Sequence, residues 1–384
     1  MHHLYLHVPF CARRCSYCDF AIAVRKVVPA AEYVDCVLQE LALRAPGWVD
    51  PGPAARGAAR GLETLYLGGG TPSLLPPDAI AHLLTHLLDA FPSTPSLDAV
   101  EITLEANPED VTPDAARAWR QSGVNRVSLG AQSFDDDALR WMHRSHDGAR
   151  ISAAVRTLRG AGIENVSLDL IFALPAELER EWSRDLEEAL ALRPAHLSLY
   201  GLTVEERTPL ARWISRGASS APDDERYAAE YLLAHERLEA AGYHFYEVSN
   251  AARDGLRSRH NSAYWSRRPY LGLGPAAHSY DGTSRRWNLA QWEAYRRALH
   301  SSASPVASRE ILTPEQRELE RLYLALRTDE GLPLPAPDRL RPPLTAWVAA
   351  GWVEVHGDRV VCRPEGWLRL DALVRDLTGT PLVA

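Results

Sequence analysis

The stretch HVPFCARRCSYCDF, residues 7–20, places Cys11, Cys15 and Cys18 within eight positions of a 384-residue chain that holds five cysteines in all. Three thiolates from one tight loop admit three kinds of chemistry. A disulfide pair leaves an odd thiol and does not persist in a reducing compartment. Structural zinc takes four ligands in closed tetrahedral geometry, usually as two separated pairs. No second CxxC pair or distant Cys/His set with that spacing follows. An iron–sulfur cubane is held by thiolates, and three cysteines on its four irons leave one iron without a protein ligand. An open coordination site is what a substrate-binding cluster needs, so the cluster reading is favoured over zinc. Cys36 and Cys362 fall in helix-like and strand-like segments and read as core residues.

The rest of the composition narrows the setting. With 46% hydrophobic residues the chain can bury one large domain and a smaller one. A net charge of -8 argues against a general nucleic-acid binder, which carries a basic footprint. The opening MHHLYLHVPF lacks the charged start and apolar run of a signal peptide, and no run approaches the length of a membrane span. The expectation is a cytoplasmic protein that does not span a membrane, with reduced thiols.

The elements that must position the cysteines alternate. Short β-rich runs at 4–8, 62–67, 99–104, 125–130, 165–172, 195–201 and 243–248 are separated by amphipathic helical segments. Thr112-Pro113 before DAARAWRQ, with Gly123 after it, marks a helix start and stop. Strands buried on both faces and joined by helices indicate a parallel sheet. With no dinucleotide fingerprint after the first strand, the pattern favours a full or partial (β/α) barrel. Polar and glycine-rich signatures sit just where strands end: the cysteine loop, GGGTP (68–72), EANP (105–108), GAQSF (130–134), Asp169 and EVSN (247–250). Functional groups of parallel barrels collect at that end. Singly these are ordinary turns; together they point to one shared mouth. Beyond residue 250 a loop-rich stretch, 257–280, is dense in Gly, aromatic and His residues. From Thr313 a helix, a strand, a tight HGDR turn, a second strand and a closing helix suggest a small winged-helix-like domain.

Taken together, the CxxxCxxC loop, YLHVPFC (5–11), YLGGGTPS (66–73), LEANP (104–108), GAQSF (130–134), DLIFALP (169–175) and RHNSAYW (259–265) resemble the oxygen-independent coproporphyrinogen III oxidase-like group of the radical S-adenosylmethionine (SAM) superfamily. The resemblance runs from residue 4 into the C-terminal domain. It implies an α/β fold, a partial (β/α)6-type radical SAM barrel over residues 1–250, a connecting segment at 251–307 and the winged-helix-like α+β domain at 308–384. It implies a [4Fe-4S] cluster on the three cysteines, with SAM chelating the open iron. Carried over by position, Tyr5, Tyr17, Gly69, Gly70, Thr71, Glu105, Gln132, Arg144 and Asp169 match the residues around the cluster and SAM. Arg144 would pair with the methionine carboxylate. The plainer alternative for Glu105, Asp169 and Arg144 is a salt-bridge network at the barrel mouth.

Two kinds of protein share these motifs. The true dehydrogenases resemble CxxxCxxCxC and carry an N-terminal extension. Here Phe20 holds the fourth position and the chain starts almost at its first strand. Both departures resemble the HemW heme-chaperone subfamily, which implies heme as a further cofactor and an unidentified heme-acceptor protein, membrane-associated or not, as partner. A homodimer is left open, and no nucleic-acid partner is expected. Heme ligand candidates are His260 and Tyr264 in the RHNSAYW stretch, and His7 ahead of the cluster loop. A lone histidine in such a stretch is more often a hydrogen-bonding structural group. The competing reading is an enzyme: a coproporphyrinogen III dehydrogenase, or a radical SAM methyltransferase or cyclopropanase.

Overall fold

Six strands alternate with helices from the start of the chain: β1 (His3–Val8), β2 (Thr64–Gly69), β3 (Glu101–Ala106), β4 (Arg126–Gln132), β5 (Asn165–Phe172) and β6 (His196–Gly201). In the computed structural model, which describes residues 2–44, 61–91, 96, 99–334 and 342–378, they lie parallel in that order. Alternation along each strand divides two faces. Leu4, Leu6 and Val8 of β1, Leu65 and Leu67 of β2, and Ile102 and Leu104 of β3 join one apolar core. The opposite positions are polar and buried: His3, Thr64, Glu101, Thr103, Arg126, Ser167 and His196. The apolar face is covered by the crossover helices, and each fully buried Leu or Ile contributes about 1.5–3 kcal/mol. The helix Pro113–Gln121 starts where expected: Thr112 caps it by accepting from Ala115 N, and Gly123 follows at φ 103°.

The parallel run ends one strand earlier than the alternation implied. Residues 243–248 hold a strand, β7 (His244–Glu247), but β8 (Asn250–Ala252) turns straight back and inserts between β6 and β7, antiparallel to both. Glu247 therefore faces Arg327, at 2.7 Å, instead of the cysteine loop, and EVSN does not join the shared mouth.

Residues 251–307 extend this sheet. Beside β1 on its other edge lies β9 (Tyr270–Leu273), parallel to it, followed by antiparallel β10 (His278–Tyr280), β11 (Ser284–Asn288) and β12 (Val306–Ile311). The order is β12-β11-β10-β9-β1-β2-β3-β4-β5-β6-β8-β7, an open barrel-like sheet.

RHNSAYW is a helix, Arg259–Trp265, where a loop was expected. Ser258 caps it by accepting from Asn261 N, and the Glu101 carboxylate at the start of β3 accepts from Arg259 N and His260 N, each at 3.0 Å. Orphan N–H groups of the first turn are thus satisfied from the barrel.

The C-terminal region adds helices around a small antiparallel sheet. A capping box of Thr313 and Gln316 opens the helix Pro314–Arg327. A three-stranded sheet of Leu332–Pro333, Arg359–Cys362 and Val353–His356 follows, with helices Leu344–Ala349, Pro364–Trp367 and Leu370–Thr378. It docks on β7 through the Glu247–Thr328 bridge and through Asp329 N, which donates to Tyr246 O. No helix among the described residues is long and apolar enough to cross a membrane.

Candidate functional site

The cysteine loop is pinned at its base. Cys11 leaves the short strand Phe10–Cys11, which pairs in parallel with Ala23–Val24. Gly70 N and Thr71 N bond back to Val8 O and Phe10 O, each at 2.8 Å. Further out, Ser16 N reaches Met142 O and Ser16 O accepts from Leu210 N. The loop so held lies across the C-terminal ends of the six parallel strands. A cavity of about 370 Å3 opens beneath it, lined by all three cysteines.

Each strand end sends polar groups into that cavity. From β2 come Gly69, Gly70 and Thr71, whose Oγ1 donates to Cys11 Sγ at 3.4 Å. Gly69, at φ 111°, approaches so closely that a Cβ there would lie 2.5 Å from the His7 ring. From β3, Glu105 accepts from Gly69 N at 2.9 Å and from Tyr66 OH at 2.8 Å. Burial pushes its carboxyl up to about 7, against those two hydrogen bonds. From β5, Asp169 accepts from Ser128 Oγ at 3.0 Å; burial raises its pKa too. Gln132 stands at φ 69°, where β4 breaks register with β5, and this turns it into the cavity.

Arg144 follows the short helix Asp136–Trp141. Its Nη2 donates to Asn107 Oδ1 and to Gly130 O at 2.9 Å, and its Nη1 reaches Cys15 Sγ at 3.5 Å. Burial alone would lower its pKa, but Tyr17, Cys15 and Glu109 around it raise it, so it stays charged. Glu109 accepts from His146 and Ser145. Against burial, these bonds and the Arg144 charge hold its carboxyl at about 2. Burial is also the main force on the thiols, pushing Cys11 up to about 11 and raising Cys18. Thiolates here call for positive charge from bound metal and from Arg144.

The expected cluster and SAM residues thus converge on one cavity, with one exception. Tyr5 does not line it. Its side chain lies one layer deeper, stacked on Tyr66 at 6.1 Å and donating to His7 Nδ1 at 3.0 Å. Neither do the three heme candidates reach the cavity. His7 has Nδ1 engaged by Tyr5 and Nε2 by Ala21 O at 3.4 Å, and burial depresses its pKa to about 4. His260 and Tyr264 sit at the other end of the barrel, beside Thr64, five strand residues or roughly 16 Å from Gly69. His260 Nδ1 bonds Thr64 Oγ1 at 2.7 Å and its Nε2 bonds Tyr264 OH at 2.8 Å, so both ring nitrogens are occupied. Its side chain is buried. Asn107, Glu109, Tyr66 and Ser128 brace the cavity without having been singled out. Asn107 lies inside the EANP signature, which was its available signal.

Comparison with known proteins bears on this geometry. A model of the radical SAM superfamily matches residues 5–189. The Mycobacterium tuberculosis protein named heme chaperone HemW is 39% identical, over 98% of this chain and 94% of that one. The chain belongs to the HemW family. The HemW protein of Bacillus subtilis is 33% identical over 85% of the chain and 84% of its own length. Among solved structures, this HemW-family chain superposes on Escherichia coli coproporphyrinogen III oxidase HemN, described as a radical SAM enzyme, with a TM-score of 0.79 at 22% identity, covering 98% and 90% of the two chains. That likeness shows the fold alone.

The HemW family's radical SAM fold implies a [4Fe-4S] cluster and SAM, and the residues present fit both. Three thiols on one loop share the cavity, while no three His, Cys, Asp or Glu side chains among the described residues converge as a single metal ion needs. A cubane takes one thiolate per iron and needs no such convergence. Arg144 Nε is buried without a partner, a donor left for a ligand. A Cβ on Gly130 would come within 3.1 Å of Gln132 Nε2 and 3.2 Å of Arg144 Nη2, so glycine keeps those two side chains together.

Proposed function

We propose that this chain binds heme and passes it to an acceptor protein, and that it carries a SAM-ligated [4Fe-4S] cluster on Cys11, Cys15 and Cys18. The observation that carries the heme part is Phe20. At the position where the dehydrogenases resemble a fourth cysteine, it is 58% exposed and lines the cavity beside Ile22 and Leu202. An exposed aromatic there offers an apolar face at the mouth and no thiolate. The relatives' name, heme chaperone, supports the same reading.

When bound, the cluster supplies an open iron for the SAM amino and carboxylate groups and an electron for its sulfonium. Arg144, charged and braced by Asn107 and Gly130 O, orients the SAM carboxylate through its remaining N–H groups. Glu105 and Asp169 offer acceptor oxygens at the strand ends. Glu105 also holds Gly69 in place, which keeps the backbone close to the bound methionine. The loop of residues 11–22 buries Cys11 and leaves Cys15 and Cys18 half-buried at the cavity. A reducing cytoplasm suits three free cysteines.

The test is an anaerobic hemin titration of the cluster-reconstituted protein, paired with a coproporphyrinogen III turnover assay. Saturable hemin binding without protoporphyrinogen formation is the expected result. Turnover without saturable hemin binding would replace the chaperone with the dehydrogenase.

A further inference from the structure

His143 is the one histidine among the described residues that lines the cavity. It is exposed, and its ring packs edge-on against Trp213 at 5.2 Å. Neither ring nitrogen is engaged by a described residue, in contrast to His7 and His260, whose nitrogens are all occupied. Its backbone sits at φ 61°, in the left-handed region. A side chain with a Cβ is disfavoured there and glycine is not. The conformation closes the helix Asp136–Trp141, where His143 N bonds Arg140 O at 3.0 Å and Arg144 N bonds Leu139 O at 2.9 Å, and it leaves the ring outside the helix. The same cavity is lined by Phe20, Ile22 and Leu202, and by Arg13, whose guanidinium reaches His143 O at 3.5 Å.

These features suit one ligand chemistry: a flat apolar macrocycle with an iron that accepts imidazole and a carboxylate edge that pairs with a guanidinium. We infer that heme docks at the outer mouth of the cavity, with His143 as its axial ligand, Phe20 and Leu202 against its faces and Arg13 at a propionate. The inference rests on the heme reading above and adds the site to it. The cysteines are committed to the cluster. Tyr17 and Tyr200 also line the cavity, and the spectroscopic signature of an imidazole ligand distinguishes His143 from them. Because His143 precedes Arg144, a heme on His143 lies next to the group that orients SAM. Occupancy of one site is thereby in contact with occupancy of the other.

The experiment is an anaerobic hemin titration of the full-length, cluster-reconstituted protein, read by its Soret band and by electron paramagnetic resonance. Wild type, His143→Gly and His260→Gln are compared. His143→Gly is expected to weaken hemin binding by about ten-fold or more and to lose the imidazole-ligated signature, which added imidazole restores. Its melting temperature is expected to equal or exceed that of wild type, because glycine accepts the positive φ. His260→Gln is expected to keep the wild-type spectrum. Unchanged affinity and spectrum in His143→Gly, or loss confined to His260→Gln, would overturn the assignment and leave the heme reading standing. Absence of saturable binding by wild type would overturn both.

Discussion

The Glu105 carboxylate does two things at once: it accepts from Gly69 N and from Tyr66 OH, and it faces the cavity beneath the cysteines. Glu105→Gln keeps the volume but puts an N–H2 where one of two donors needs an acceptor, at a cost of about 1–3 kcal/mol. The expected outcome is a roughly ten- to hundred-fold loss of SAM affinity with cluster absorbance retained, measured by SAM titration under anaerobic conditions. Equal affinity would remove Glu105 from the SAM site. Cys15→Ala separates metal from fold. Cys15 is only half-buried, and the barrel has its own core of side chains such as Leu4, Leu65 and Val127. Cluster absorbance is expected to vanish while circular dichroism and melting stay near wild type. Gross unfolding would make the cluster structural. At this scale the cysteines, Glu105 and Asp169 were legible because each stands out from its strand or loop. Tyr66 and Ser128 were not, since a Tyr or Ser inside a strand looks the same whether it supports a site or fills a barrel.

At the scale of elements, the helix Arg259–Trp265 plugs the strand beginnings and carries His260 into the barrel floor. Burial depresses the His260 pKa from its usual 6.5 to about 3, and those of His3 and His7 to about 4. The unfolded chain therefore binds more protons than the folded one below about pH 6.5. The stability these groups give is fully present above that pH and is lost as pH falls toward 3–4. Wild-type melting temperature is expected to drop between pH 7 and pH 5, and less steeply in His260→Gln, which cannot take up the proton. Parallel slopes in calorimetry would show that His260 does not titrate on unfolding. The composition of this segment, rich in aromatics and bordered by Gly and Pro, reads as a loop. It is helical because the Glu101 side chain, some 158 residues away, caps its first turn. Ser258 is a local cap for the same turn, but the Glu101 contact is not written in the local pattern.

Across the whole molecule, Glu40 joins the first crossover helix to the added strands. Fully buried, it accepts from Gly274 N at 2.8 Å, Asn288 Nδ2 at 2.7 Å and Tyr295 OH at 2.7 Å, and pairs with Arg44. Glu40→Ala would strand the Arg44 charge and several donors, so a loss of about 3–5 kcal/mol is expected. Denaturant unfolding measures it; a loss below about 1 kcal/mol, the size of an exposed pair, would show that the two parts do not depend on this tie. What the sequence by itself determined is what near neighbours decide: strand alternation, the Thr112 and Thr313 caps, and a three-thiol loop whose spacing already implied an open iron. These follow from backbone periodicity and local hydrogen bonding. Tertiary structure alone decided that β8 would insert beside β6, that His260 would be buried at the far end of the barrel and that His143 would face the cavity. Those outcomes depend on which strand or loop becomes a neighbour, and that is set by long-range packing and satisfaction of buried polar groups.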